Sequence, residues 1–278
     1  MSDALMLACL QMNSSDQLEE NLEFVDQHLA EARNAGVKLV LLPENFANMP
    51  AKSSQLHVED HTGGRVQSFL AEKSRQYQLV IVAGSVAIRS NSEDKPSARC
   101  LVYGPTGELL ASYEKIHLFD VDLPGRESYR ESASYAAGDT KPANLVVANT
   151  AFAKLGLTIC YDLRFPEMYR QLTDLGAEVM LVPAAFTYRT GEAHWRTLLR
   201  ARAIENQVYV MAAAQAGNHA SGRQTWGHSM IIDPWGEIIA EFDTEQQKAQ
   251  TGLLLADVDL SKIAKTRRSL PALSHRRL

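Results

Sequence analysis

Three side chains in this sequence have the types and placements to do chemistry: a thiol, a carboxylate and an ammonium. Cys160 ends the run Lys154-Leu155-Gly156-Leu157-Thr158-Ile159, and Pro166 beyond it is placed to open a helix. A cysteine at a sharp strand-to-helix turn is held out at a sheet edge, and a thiol becomes a nucleophile once a base takes its proton. Glu44 follows the buried-type run Val37–Leu42 through Pro43, at the strand end where open α/β sheets place ligands. Lys115 closes Ser112-Tyr113-Glu114-Lys115, with Ile116 and His117 behind it. Singly, each has an ordinary reading: a buried inert cysteine, a solvated loop glutamate, an exposed strand-end lysine.

The elements that must position these groups can be read from hydrophobic period. Leu5–Met12 reads as a strand, and Leu18, Leu22, Val25, Leu29 and Ala32 recur at helical spacing, with Ser14 and Gln17 in capping-box register. The run Val37–Leu42 is continuous, as in a strand covered on both faces. A helix over Val66–Arg75, a strand over Leu79–Ile88 and a hairpin over Cys100–Lys115 follow. The second half repeats the pattern: strand Leu155–Cys160, helix Pro166–Leu175, strand Val179–Pro183, helix His194–Glu205, strand Val208–Ala214 and hairpin Met230–Phe242. Leu101–Ala111 aligns without gaps on Met230–Ala240, with Pro and Gly at matching turn positions. Two similar halves of this kind stack through their sheets into a four-layer α-β-β-α sandwich. The stretch His117–Thr140, with Pro124, Gly125 and Gly138, lacks clear periodicity; a loop of that length inside a compact domain is usually functional or mobile.

Composition narrows the function classes. The 278 residues are 45% hydrophobic and 22% charged, an ordinary composition for a globular chain. A net charge of −5 argues against nucleic acid as partner. The basic residues Arg267, Arg268, Arg276 and Arg277 cluster at the C-terminus, where a solvated face is the usual reading. Cys9, Cys100 and Cys160 have neither disulfide-framework nor metal-ligand spacing, which fits a reducing compartment. After Ser2 and Asp3 the chain enters its first strand without a signal-peptide pattern, and no run reaches membrane-spanning length. The expectation is a cytoplasmic protein without membrane partner, metal or cofactor, forming one domain over residues 1–278 with a C-terminal tail from about 260.

Leu-Pro-Glu-Asn from Leu42, Glu-Lys-Ile-His-Leu-Phe-Asp from Glu114 and Ile-Cys-Tyr-Asp-Leu-Arg-Phe-Pro-Glu from Ile159, in this order and spacing, resemble the nitrilase superfamily of carbon–nitrogen hydrolases. The resemblance runs from Leu5 to about Asp259 and implies the duplicated α-β-β-α fold. It also implies roles. Cys160 would be the nucleophile, and Glu44 the base that becomes the acid, its pKa raised by partial burial. Lys115 would stabilise the oxyanion together with the Tyr161 backbone N–H. Glu131, in Arg130-Glu131-Ser132, would orient Lys115, unless it instead pairs with a loop arginine. A Cys–His arrangement using His117, His194 or His228, and a non-catalytic scaffold, are the competing readings.

Within the superfamily, Phe186–Trp195, Leu198–Glu205, Ala212–Gln215 and Gly227–Gly236 are most similar to the deaminated glutathione amidases. That likeness implies a small 2-oxo acid amide as substrate, with an ω-amidase acting on 2-oxoglutaramate or 2-oxosuccinamate as the alternative. An arginine is then expected for the substrate carboxylate. Arg164 is the candidate, with Phe186 and Thr190 as pocket wall, although it could equally serve as partner of Asp162 or Glu167. The resemblance further implies a homodimer packed through the helices that follow the middle strands, with Leu270–Leu278 reaching across.

Overall fold

The computed structural model describes residues 4–89, 94–123, 127–242 and 250–277. Ser2, Asp3, Pro124, Gly125 and Leu278, which figure in the sequence reading, lie outside them. In the first half, β1 (Leu5–Gln11), α1 (Leu18–Asn34), β2 (Leu39–Leu41), the short β3 (Val58–Glu59), α2 (Arg65–Tyr77), β4 (Val80–Ile88), β5 (Ser97–Tyr103) and β6 (Leu109–Glu114) follow in order. A small hairpin, β7 (Asp120–Leu123) and β8 (Glu127–Arg130), leads to the second half. That half contains β9 (Val147–Asn149), β10 (Lys154–Leu157), α3 (Pro166–Asp174), β11 (Val179–Leu181), α4 (Tyr188–Thr190), α5 (Arg196–Asn206) and β12 (Tyr209–Ala212). The ribbon β13 (Ala216–Asn218) and β14 (Gln224–Trp226) comes next, then β15 (Met230–Ile232) and β16 (Ile238–Glu241). Finally β17 (Gly252–Val258) returns the chain to the first half beside β1, and α6 (Ser261–Ser269) follows it.

The two sheets are built alike. One runs β17-β1-β2-β4-β5-β6, with β3 beside β4; the other, read in the matching direction, runs β9-β10-β11-β12-β15-β16. In each, three central strands are parallel and an antiparallel hairpin and one antiparallel edge strand flank them. The period-2 alternation of β1 explains the layering. Leu7 and Cys9 face the second sheet, while Ala8 and Leu10 face the stripe Leu22, Val25, Leu29 and Ala32 of α1. On the second sheet, Leu155, Val179 and Met211 share a core with Met168, Leu172 and Leu199 of the outer helices. The result is the four-layer α-β-β-α sandwich. The two long hairpins also match in detail: Gly107 and Gly236 have φ of 88° and 87°, and each donates to the residue three before it at 2.9 Å.

Three local expectations are corrected. Ser14 and Gln17 form no capping box, because Ser14 is drawn into the interior. Its hydroxyl donates to the Phe46 carbonyl at 2.9 Å, and its N–H donates to Gln215 Oε1 at 3.0 Å. The strand before Cys160 ends at Leu157, three residues early, so that the chain can enter a tight turn. The stretch 117–140 is not aperiodic, since β7 and β8 pair within it.

Candidate functional site

Lys115 continues the ladder of β6, its N–H donating to the Ala98 carbonyl at 2.9 Å. Strand alternation therefore sends its side chain to the same face as Tyr113, into the space between the sheets. That is why a lysine at a strand end is only 1% exposed. Its Nζ lies 2.8 Å from Glu44 Oε1 and 2.7 and 2.9 Å from the two oxygens of Glu131.

Glu44 reaches this point from the carboxyl end of β2. Gly84 on β4 lets the chain pass: a Cβ there would meet the Leu42 and Pro43 carbonyl oxygens at 2.3 Å. Asn45, at φ 56°, donates its N–H to Ser85 Oγ, and the Glu44 carbonyl accepts from Gln215 Nε2. The second carboxylate oxygen, Oε2, accepts the Ala185 N–H at 2.9 Å, a donor from the loop after β11. Glu131 is held in the same manner by the Phe119 N–H at 2.6 Å.

Cys160 has φ 48°, the left-handed region that L residues enter at a cost of about 1–3 kcal/mol, a strain that functional sites tend to store. The structure over-determines the turn. Its N–H donates to the Pro183 carbonyl, and the carboxylate of fully buried Asp162 accepts from the Ile159 N–H and the Tyr113 hydroxyl, both at 2.8 Å. The same carboxylate receives His117 Nδ1 at 2.7 Å, and Arg202 donates twice to the Leu163 carbonyl. The turn that carries the thiol is thereby bolted to the strand end that carries Lys115. His117, stacked on Phe165 at 3.6 Å, is committed to this clamp. Neither His117, His194 nor His228 is among the side chains lining the cavity described below. Asp162, Tyr113 and Arg202 were not singled out from the sequence as site-builders, although Asp162 lies within the quoted cysteine motif and Arg202 within the quoted run Leu198–Glu205.

The electrostatics follow from two carboxylates sharing one buried ammonium. Burial would raise the Glu44 pKa, but the Lys115 charge outweighs it, helped by Arg223 and by a hydrogen bond from the Cys160 thiol, and the carboxyl is held below its usual range. The expected rise for Glu44 is thus reversed, because its partner lies in direct contact. Burial and the Glu44 charge together raise Glu131 instead, against the pull of Lys115. Burial opposes the charge on Lys115, yet Glu131 and Glu44 keep its pKa well above the ordinary lysine value. Burial and then the Glu44 charge push the Cys160 thiol well up. The resting array therefore holds a thiol proton against a carboxylate that is ionised and able to take it.

The array forms the floor of a cavity of about 210 Å³. Its walls are aromatic: Phe119, Tyr129, Tyr135, Tyr161 and Phe186. Phe119 packs edge-on to Tyr161 at 5.1 Å, tying the β7–β8 hairpin to the cysteine turn. Of the residues expected from the sequence, Glu44, Lys115, Cys160, Glu131, Tyr161, Phe186 and Thr190 all line it. Arg164 does not. Its guanidinium lies 5.3 Å over the Phe186 ring and 5.9 Å over the Tyr161 ring, with Nη1 3.3 Å from His194 Nδ1, and among the described residues neither Asp162 nor Glu167 is its partner. Arg223, in the connection between β13 and β14, which carried no sequence signal, lines the cavity, donates Nη2 to the Ala185 carbonyl and faces the Tyr129 ring at 5.3 Å.

Residues 6–268 match the family described as carbon–nitrogen hydrolase. The chain is 42% identical to the deaminated glutathione amidase of Yersinia enterocolitica, over 98% of this chain and 92% of that one. It is 36% identical to the omega-amidase NIT2 of Homo sapiens, over 98% and 94% respectively. Among solved structures, the NitFhit protein of C. elegans matches with a TM-score of 0.88 at 34% identity, covering 99% of this chain; the chain spans 65% of that protein.

Proposed function

The chain belongs to the carbon–nitrogen hydrolase family, a hydrolase acting on amides, and from that premise we propose that Cys160, Glu44 and Lys115 are its catalytic residues. The observation that carries the assignment is the buried Glu44–Lys115–Glu131 array set against the Cys160 thiol at the cavity floor. Because the thiol is protonated at rest, its proton passes to Glu44 as sulfur attacks the amide carbon. The oxyanion formed there accepts hydrogen bonds from Lys115 Nζ and from the Tyr161 N–H, a donor in the first turn of the short helix that begins at Cys160. Collapse breaks the C–N bond, and Glu44 returns its proton to the departing amine, leaving a thioester. Water then gives a proton to Glu44 and attacks the thioester; the carboxylic acid departs and the proton goes back to sulfur. Glu131 acts by positioning Lys115.

We further propose deaminated glutathione as the substrate, hydrolysed to 2-oxoglutarate and cysteinylglycine, on the strength of the 42% identical relative that bears that activity in its name. The 36% identical omega-amidase supports an alternative, an unsubstituted amide of the same 2-oxo acid. Comparing kcat/KM for deaminated glutathione and 2-oxoglutaramate separates the two. A preference of about tenfold or more for the second, about 1.4 kcal/mol in transition-state binding, overturns the first assignment. The whole chain is proposed as one catalytic domain. A homodimer would cover the exposed Leu175, Ile204 and Leu270 at the ends of α3, α5 and α6. The free cysteines suit a cytoplasmic, reducing setting.

A further inference from the structure

Glu44 must reach the amide nitrogen to protonate it, so whatever that nitrogen carries projects past the Glu44–Asn45 wall of the reaction cavity. A second cavity, of about 190 Å³, begins at that wall. The two share Asn45, Ser134, Tyr135 and Arg223, and Met49 and Leu56 also line the second. Departing ammonia, a single heavy atom, has no use for such a space.

Resting on the amidase reading above, we propose that this second cavity is the leaving-group subsite, shaped for an amine of dipeptide size. The acid half of the substrate then lies over the Tyr161–Phe186 side, and the amine half lies beyond Asn45. Met49 and Leu56 offer an apolar wall to a small side chain such as the cysteinyl one. Arg223 stands at the junction, anchored through Nη2 on the Ala185 carbonyl, while its Nε has no hydrogen-bond partner among the described residues. A guanidinium with donors to spare suits the carboxylate that ends a dipeptide. The subsite would thus set the choice between a peptide-like amide and a simple one, without touching the groups that perform the chemistry.

The test fills the cavity from two sides in the full-length protein, with Leu56→Trp and, separately, Ser221→Trp. Ser221 is exposed and also lines the cavity, so its replacement leaves the core packing alone even where Leu56→Trp perturbs folding. The quantity read is the ratio of kcat/KM for deaminated glutathione to that for 2-oxoglutaramate. The expected result is a fall in this ratio of about tenfold or more in both variants, the order of discrimination a pocket contact supplies. An unchanged ratio in a folded, active variant overturns the subsite while leaving the amidase assignment standing. Wild-type protein that turns over neither amide overturns the 2-oxo acid substrate reading on which the subsite rests.

Discussion

The two halves share a scaffold but not a chemistry. Leu7 pairs with Leu39 in the first sheet as Leu155 pairs with Val179 in the second. Extended without gaps, these registers make Met12 the counterpart of Cys160 and Glu44 the counterpart of Ala184. Leu-Leu-Pro-Glu-Asn-Phe over 41–46 then lies on Leu-Val-Pro-Ala-Ala-Phe over 181–186. At the first corner, Met12 is buried, its carbonyl accepting the Ala216 N–H of the β13–β14 ribbon at 2.7 Å. At the second, Cys160 turns into the left-handed region and presents a thiol. Duplication therefore supplies two equivalent sets of strand ends, and each half arms a different one. The cross-contact Ala185 N–H to Glu44 Oε2 shows why both are needed: the unarmed loop of the second half holds the carboxylate of the first.

The largest expected effect tests whether the corners are interchangeable. Cys160→Ala should lower kcat/KM by more than about 10⁴-fold, the scale seen when a nucleophile is removed. Adding Met12→Cys to that variant should restore nothing; recovered turnover would mean that either corner can carry the thiol. A smaller effect concerns the charge array, which the first half and the β7–β8 segment build together. Glu131→Gln should cost about 10²-fold in kcat/KM through misplacement of Lys115. It also leaves the ammonium to Glu44 alone and removes a like charge. Glu44 then binds its proton less readily, and the acid limb of the pH–rate profile moves to lower pH. A shift to higher pH would contradict the shared-ammonium picture.

The smallest effect lies at the helix entries. In the first half, buried Glu59 accepts the Val66 and Gln67 N–H groups that open α2, whereas α5 in the second is entered through a π-helical turn over Gly191–Trp195. Burial opposes the Glu59 charge, but these N–H groups, His57 and the Gln67 side chain hold its pKa below the usual value. Its stabilisation is therefore present above the ordinary carboxylate range and is lost as pH falls through the folded-state value. Glu59→Gln should lower stability at pH 7 by about 1 kcal/mol, read from the urea midpoint, with the difference from wild type shrinking on acidification. An unaltered midpoint at pH 7 would remove Glu59 as the asymmetric cap.

Much of this molecule could be read before its structure was known. The apolar stripe of α1, the continuous runs of β2 and β11 and the matched hairpins are local periodic signals, and local period is what dictates helix and strand. Cys160, Glu44, Lys115 and Glu131 stood out by motif, and they meet in one cavity. Tertiary structure alone decided how these groups behave. Lys115 is 71 residues from Glu44 in sequence and 2.8 Å from it in space. The sign of the Glu44 shift depends on that distance and on burial together, and neither is written in the residues around position 44. The fold likewise decided that Arg223 lines the cavity while Arg164 lies over the Phe186 ring beside His194. A side chain's type and spacing are local properties, whereas its charge state and its access to a ligand are sums over neighbours that only the fold assembles.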